Sequence, residues 1–366
     1  MTSNTYGLEC NSSEINALID YIVSIGVSSG IKSPLCIWGS HGLGKTEIVK
    51  EYTSSNNIKF QYIAPAQFEE MGDLHGIPVV NERDGKRITE FIVPSWVPTE
   101  EGPGILLLDD LNRADDRILR GCMQLIQNYE LVSWKLPKGW QIIATANPDN
   151  MDYSVTTMDN AMITRMVHST LIFDPKAWAK WALEKGVDQR GISFVLTYPE
   201  LVNNNLTTPR TLEKLFRLIA PIKDLTADVN LVSQLALGCI DEYSTSAFIS
   251  FINDDLRLLI EPEDIIHAKK FDIVKKQIKG LSEGKNGETR LDRLSTVCTR
   301  ISLYLTNTDV TFDKTSSENL ISFLLLEILP KDLTMSLYKD LIGSKNESLK
   351  EVLRNKKLAD FLLSNL

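Results

Sequence analysis

Short apolar runs punctuate the first half of the chain, at Leu35 to Trp38, Phe60 to Ile63, Ile105 to Leu108 and Ile142 to Ala146. Each has the length of a strand and lacks polar alternation, which suits strands hidden on both faces. Between them lie stretches with helical spacing. Ile15, Leu18, Ile19 and Ile22 share one face of a helix that Ser12 or Ser13 can cap, and Lys45 to about Ser54 and Asp116 to Asn128 make two more helices. Strands alternating with helices predict a parallel sheet covered on both sides. From about Asp174 the pattern becomes helical, clearest at Ala177 to Glu184, Arg210 to Ile219 and Ser317 to Leu329, while polar Ser282 to Thr289 reads as an exposed loop. The expected architecture is an α/β domain followed by an α-helical region.

Composition refines this picture without redirecting it. At 366 residues, with 43% hydrophobic and 24% charged positions, the chain has room for two or three domains, each with its own core. The net charge of −9 is concentrated in residues 1–173, which hold 13 basic and 21 acidic side chains. That balance disfavours coating of nucleic acid, where phosphate contacts need a positive surface. The basic stretch Lys269, Lys270, Lys275, Lys276 and Lys279 is flanked or interrupted by Asp272 and Glu283 and reads as a solvated helix face. Five scattered cysteines without CxxC spacing suit reduced thiols and a cytoplasmic location. Met1 to Ser12 shows no secretory signal pattern, and no run of 18 apolar residues predicts a membrane span. His41, His75, His168 and His267 share no ligand spacing, so no zinc site is expected.

The chemistry begins after the first apolar run. Gly39, Ser40, His41, Gly42, Leu43, Gly44, Lys45 and Thr46 fit the phosphate-loop pattern GxxxxGK[ST] without mismatch, between a strand and a helix. Such a loop turns backbone N–H groups toward phosphate, the helix N-terminus adds its positive end, and the lysine adds a mobile charge. ATP with Mg²⁺ is the expected ligand, with Thr46 offering its hydroxyl to the metal. The run Ile105 to Leu108 ends in Asp109 and Asp110, 63 residues after Thr46, at the strand end where parallel sheets bind ligands. Asp109 is expected to hold Mg²⁺ through water, and Asp110 to orient an attacking water.

Leu108-Asp109-Asp110-Leu111-Asn112-Arg113-Ala114 resembles the Asp-Glu-h-Asn-Arg-Ala run (h, an apolar residue) of MoxR-like AAA+ ATPases, of the helix-2-insert, dynein-related type. Asp73-Leu74-His75-Gly76-Ile77-Pro78, Leu136 to Trp140, Ile142 to Pro148, Tyr153 to Arg165 and Thr208-Pro209-Arg210-Thr211 resemble further blocks of that family, in order, over about residues 13–220. The resemblance implies an AAA+ P-loop core over 1–173, a helical lid over 174–280 and a helical extension over 281–366. It implies Asn147 as sensor 1, Arg165 as the finger reaching a neighbour's nucleotide, and Arg210 as sensor 2. A finger supplied between subunits implies a homo-oligomeric ring, a hexamer. The family's usual glutamate is here Asp110, one methylene shorter; a misplacement of about 1 Å can slow a step by on the order of 10²-fold.

In the same family a helix-2 insert faces the ring's pore. The segment Tyr129 to Leu136 reads as such a hairpin, with Trp134 and Lys135 either as substrate contacts or, for Trp134, as packing. The resemblance further implies remodelling of protein partners, with a von Willebrand factor A domain protein on another chain. Two alternatives stay open: a motor translocating nucleic acid, and a nucleotide-gated scaffold with slow turnover. The apolar C-terminal positions Ala359, Phe361, Leu362, Leu363 and Leu366 lie beyond the resemblance and suit packing or docking.

Overall fold

The computed structural model describes residues 6–148, 155–202, 206–256, 258–284, 288–307 and 310–363. The chain divides into two compact units, Met1–Asp174 and Pro175–Leu366.

In the first unit, β1 (Leu8–Cys10), α1 (Ser12–Ser29), β2 (Leu35–Trp38), α2 (Lys45–Ser55) and β3 (Lys59–Ile63) are followed by α3 (Met71–His75), β4 (Ile77–Arg83) and β5 (Lys86–Ile92). Then come β6 (Gly104–Leu108), α4 (Asp116–Asn128), β7 (Trp140–Ala146), α5 (Asn160–Ile163) and β8 (Val167–Leu171). Six strands form a parallel sheet in the order β1-β8-β2-β7-β6-β3. Alternate residues of the central strands feed two separate cores, as the two-residue period of a strand requires. Cys36, Trp38, Leu106, Leu108, Ile142 and Ala144 pack with Ile118, Cys122, Leu125 and Ile126 of α4. Leu35, Ile37, Ile105, Leu107 and Ile143 pack with Ile15, Ile19 and Ile22 of α1 and with Val49 and Tyr52 of α2. Each fully buried aliphatic side chain contributes roughly 1.5–3 kcal/mol, so the uninterrupted apolar strands hold this sandwich together.

The expected strands and helices of this unit are present, with three differences. Asn11, not Ser12 or Ser13, caps α1: its side-chain oxygen accepts from the N–H groups of Ser13 and Glu14 at 3.0 Å, and Glu14 returns a bond to the Asn11 N–H at 2.8 Å. The outer strands β1 and β8 fall where no strand is expected.

The third difference concerns the hairpin. Tyr129 to Leu136 closes through the Glu130–Lys135 bridge and two backbone bonds, Leu131 N–H to the Trp134 carbonyl and Leu136 N–H to the Tyr129 carbonyl, both 2.8 Å. The full ladder lies earlier, where β4 and β5 pair over seven positions from Ile77–Ile92 to Arg83–Lys86. Their turn is Asp84-Gly85, with φ of 54° and 73°, the left-handed pair that a tight two-residue hairpin needs. Ile77, Val80 and Ile92 on this ribbon are exposed.

The second unit is helical: α6 (Pro175–Glu184), α7 (Gln189–Thr197), α8 (Pro209–Ile219), α9 (Val229–Leu237), α10 (Glu242–Ser250), α11 (Pro262–Ile266) and α12 (Phe271–Ser282). These lead to α13 (Leu291–Asn307), α14 (Lys314–Leu324), α15 (Lys331–Ile342), α16 (Glu347–Leu353) and α17 (Lys356–Leu363). Phe194 meets Phe248 and Phe251 edge-on at 5.0 and 5.6 Å, one buried aromatic centre. A separate apolar cluster runs from Ile260 through Leu294, Ile301 and Phe323 to Leu358. The helix expected at Ser317 to Leu329 starts earlier, behind an Asp313–Ser316 capping box, and ends at Leu324. Leu366 lies outside the described residues. Among the described residues, no helix is long and apolar enough to cross a membrane.

Candidate functional site

The phosphate-loop residues join the end of β2 to the start of α2, at the C-terminal edge of the parallel sheet. Gly42 and Gly44 hold φ of 74° and 91°, conformations that side-chain-bearing residues rarely adopt. Lys45 opens α2 and is buried. Its Nζ donates to the carbonyls of Gly39 at 2.7 Å and Ser40 at 3.1 Å, and to Asn147 Oδ1 at 3.0 Å.

Next on the helix, the Thr46 hydroxyl donates to Asp109 Oδ1 at 2.6 Å. The same oxygen accepts the Thr145 hydroxyl at 2.8 Å, and Oδ2 accepts the Tyr62 hydroxyl at 3.1 Å. Thr145 also accepts the N–H of Asp110 at 2.8 Å, so one buried hydroxyl on β7 fixes the strand end that carries both aspartates. Burial, then the charge of Asp109 and the bond to it, push the Tyr62 phenol up to about 12, so it donates across the neutral range.

Asp110 sits at φ 49°, ψ 45°, in the left-handed region. Aspartate enters that region more readily than longer side chains, which gives a local reason for a residue shorter than glutamate here. Asn147 Nδ2 donates to Asp110 Oδ1 at 2.9 Å, and the Arg113 guanidinium stands 3.6 Å from Oδ2. Asn147 thus bridges Lys45 and Asp110 through the two ends of its amide, which also assigns its nitrogen and oxygen.

Lys45 and Thr46, Asp109 and Asp110, and Asn147, from three separate stretches of the sequence, therefore form one bonded cluster, with Thr145 joining its halves. Sequence reasoning did not single out Tyr62, Asn112 or Thr145. Thr145 carries a signal in retrospect, being, with Gln141, one of two polar residues in a strand that is buried throughout. Tyr62 carries none, because its reach to Asp109 depends on the β3–β6 pairing of Tyr62 with Leu107 and Ile63 with Leu108.

Other expected site residues lie outside this cluster. Arg165 is half-buried; its Nε donates to Gln127 Oε1 at 2.8 Å and its Nη1 to the carbonyl of Ala161. Of the block Tyr153 to Arg165 expected to lead to it, residues 153–154 lie outside the described residues. Arg210 belongs to the second unit, exposed in the first turn of α8, which Thr208 caps in a reciprocal pair with Thr211. Thr207 instead gives its hydroxyl to Asp241 Oδ2.

Trp134 is buried. Its indole N–H donates to the Leu74 carbonyl at 3.0 Å and its ring meets Trp96 edge-on at 5.1 Å, so it packs and does not present itself to a substrate; Lys135 is exposed.

One hydroxyl and one carboxylate at 2.6 Å form a hard-oxygen pair that suits Mg²⁺, an ion that takes few protein ligands and keeps phosphate and water as the rest. Beside them, the glycine turns and the buried lysine suit a polyphosphate. All five cysteines are free thiols, and burial pushes those of Cys122 and Cys298 up to about 12.

Residues 34–166 match the family model described as AAA domain (dynein-related subfamily). No curated protein matches the chain. Among solved structures, a point mutant of RuvB from Thermotoga maritima is 12% identical, with 96% of this chain and 94% of that chain covered at a TM-score of 0.40. The Holliday junction branch migration motor RuvB of the same organism is also 12% identical, with 96% and 94% covered at a TM-score of 0.38. A candidate ATPase of Cytophaga hutchinsonii is 15% identical, with 93% and 88% covered at a TM-score of 0.33. Scores at this level say nothing about activity. The parallel sheet between helical layers, which the family match covers from β2 to α5, has the AAA+ P-loop NTPase fold, and helices follow it in the chain.

Proposed function

We propose that this protein binds ATP with Mg²⁺ and hydrolyses it, as a MoxR-like AAA+ motor that assembles into a ring, a hexamer by the family's habit, and remodels protein partners. The observation that carries the reading is the bonded cluster of Lys45, Thr46, Asp109, Asp110 and Asn147 at the C-terminal sheet edge. Thr46 and Asp109 would hold Mg²⁺, which when bound neutralises charge on phosphate oxygens. Lys45 would leave the carbonyls of Gly39 and Ser40 for phosphate. Asp110 would accept a proton from the attacking water, with Asn147 holding its carboxylate in place. Arg165, half-buried and bonded to Gln127 on its own subunit, would be the residue offered to a neighbour's nucleotide, and Arg210 the one offered from the helical unit.

A nucleotide-gated scaffold with slow turnover is the second reading, and the conformation of Asp110 favours it. A short carboxylate drawn between Asn147 and Arg113 reaches less far than a glutamate would. Trapping an Asp110→Asn variant with ATP tests the proposal. A ring by light scattering, with recovery of a von Willebrand factor A domain protein from the native source, is expected. A monomer with ATP bound overturns the ring, and co-purified nucleic acid overturns the protein-remodelling role.

A further inference from the structure

We infer that Tyr62 is a positioning residue for the metal-holding carboxylate, setting the orientation of Asp109 from the neighbouring strand. The inference rests on the Mg²⁺–ATP reading above and adds a residue to it. Asp109 Oδ1 receives two hydroxyls, from Thr46 at 2.6 Å and Thr145 at 2.8 Å. Those two bonds share one oxygen and leave the carboxylate able to turn about it. Tyr62 at 3.1 Å takes the other oxygen and removes that freedom. A Thr46 oxygen that gives a lone pair to a metal can keep its O–H on Oδ1 beside that of Thr145, so Tyr62 is the hydroxyl that holds Oδ2.

The tyrosine is itself held. Its backbone lies in the β3–β6 ladder, where Tyr62 pairs with Leu107, and the Asp109 N–H donates to the Ile63 carbonyl at 2.8 Å. The Lys50 Nζ of α2 stands 5.4 Å from the ring centroid, a cation–π contact on the helix that also carries Lys45 and Thr46. With 38% of its surface exposed, Tyr62 contributes little to the core, so its hydroxyl is not explained by packing.

Tyr62→Phe removes only that hydroxyl. The measurement is the affinity of a fluorescent ATP analogue as Mg²⁺ is titrated, with the affinity in EDTA as the metal-free reference. The Mg²⁺ concentration giving half of the metal-dependent gain should rise about threefold to tenfold, the effect of losing one ordinary hydrogen bond from a half-exposed hydroxyl. Affinity in EDTA should stay within about twofold, and the thermal midpoint within about 1 °C. An unchanged Mg²⁺ midpoint, or an equal loss with and without Mg²⁺, overturns the inference. Lys45→Ala, run in parallel, separates the two claims. If it loses nucleotide while Tyr62→Phe keeps the wild-type Mg²⁺ midpoint, only Tyr62 is misassigned; if it binds as wild type, the nucleotide site itself is wrong.

Discussion

Asn112 holds Asn147 by its main chain: the Asn112 Nδ2 donates to the Asn147 carbonyl at 2.7 Å, and Asn112 Oδ1 accepts the Asn147 N–H at 3.0 Å. Both residues are buried, so this clamp satisfies the two backbone groups of the residue whose side chain bridges Lys45 and Asp110. Asn112→Ala leaves both groups without that partner. It should lower the stability of the first unit by about 2–3 kcal/mol and reduce ATP turnover, although Asn112 bonds to neither Lys45 nor Asp109. Thermal unfolding and turnover together check this; loss of neither means that the clamp positions nothing.

Asp110 yields a prediction with a direction. Asp110→Asn keeps the acceptor for Asn147 but loses the base, so turnover should fall by about 10²-fold or more with nucleotide affinity retained. Asp110→Glu restores the missing methylene at a small strain in the left-handed region and should raise turnover several-fold. A slower Asp110→Glu enzyme in steady-state assay would show that the site is built around the shorter acid.

The same residues show how far the sequence reaches. The glycine-rich loop and the paired aspartates are legible from motif spacing and a strand end, Asn147 from the family resemblance, and β2, β6 and β7 because burial on both faces leaves nearly continuous apolar runs; β3, half exposed at the sheet edge, reads only through its short apolar run. The outer strand β8 is hidden by its polar content: Ser169 is buried and bonded to the Leu8 carbonyl, and His168 is satisfied by the Trp38 indole and the Ile163 carbonyl. Tyr62 and Thr145 join the site only through strand register, which is a property of the folded sheet. The β4–β5 hairpin had a readable signal in Asp84-Gly85, but charged flanks masked the alternation around it. The segment Tyr129 to Leu136, which does close as a short hairpin, is apolar because Leu131, Trp134 and Leu136 enter the core.

Trp134 separates packing from substrate contact experimentally. Trp134→Ala removes a buried indole and should destabilise the first unit by about 3–5 kcal/mol. Lys135→Ala, on the exposed side of the same turn, should stay within about 0.5 kcal/mol. Denaturant unfolding of the two variants decides; equal stabilities would return Trp134 to the surface.

In the helical unit, Asp241 ties two helices together. Partial burial alone would raise its pKa, but the Thr207 hydroxyl and the N–H and hydroxyl of Ser244 outweigh burial and hold it below its ordinary 3.8. A depressed carboxylate adds stability that is complete above the unfolded-state value and is lost as pH falls through the folded-state value. Asp241→Ala should therefore lower stability by about 1–2 kcal/mol at pH 7, the range for a lost helix cap. The gap from wild type should close as the pH drops below about 4. Unfolding at pH 7 and pH 3 checks the sign, and a gap that widens in acid contradicts it.

In the proposed function the loop from Gly39 to Thr46 binds ATP through Lys45, and the neighbouring acids use it. Equilibrium binding of ATP with Mg²⁺ to wild type and Lys45→Ala, with phosphate release followed in the same samples, tests it most directly. Saturable binding and measurable release are expected of the wild type, and loss of both in Lys45→Ala with the fold intact by circular dichroism. Equal binding and equal release by the two proteins would contradict it.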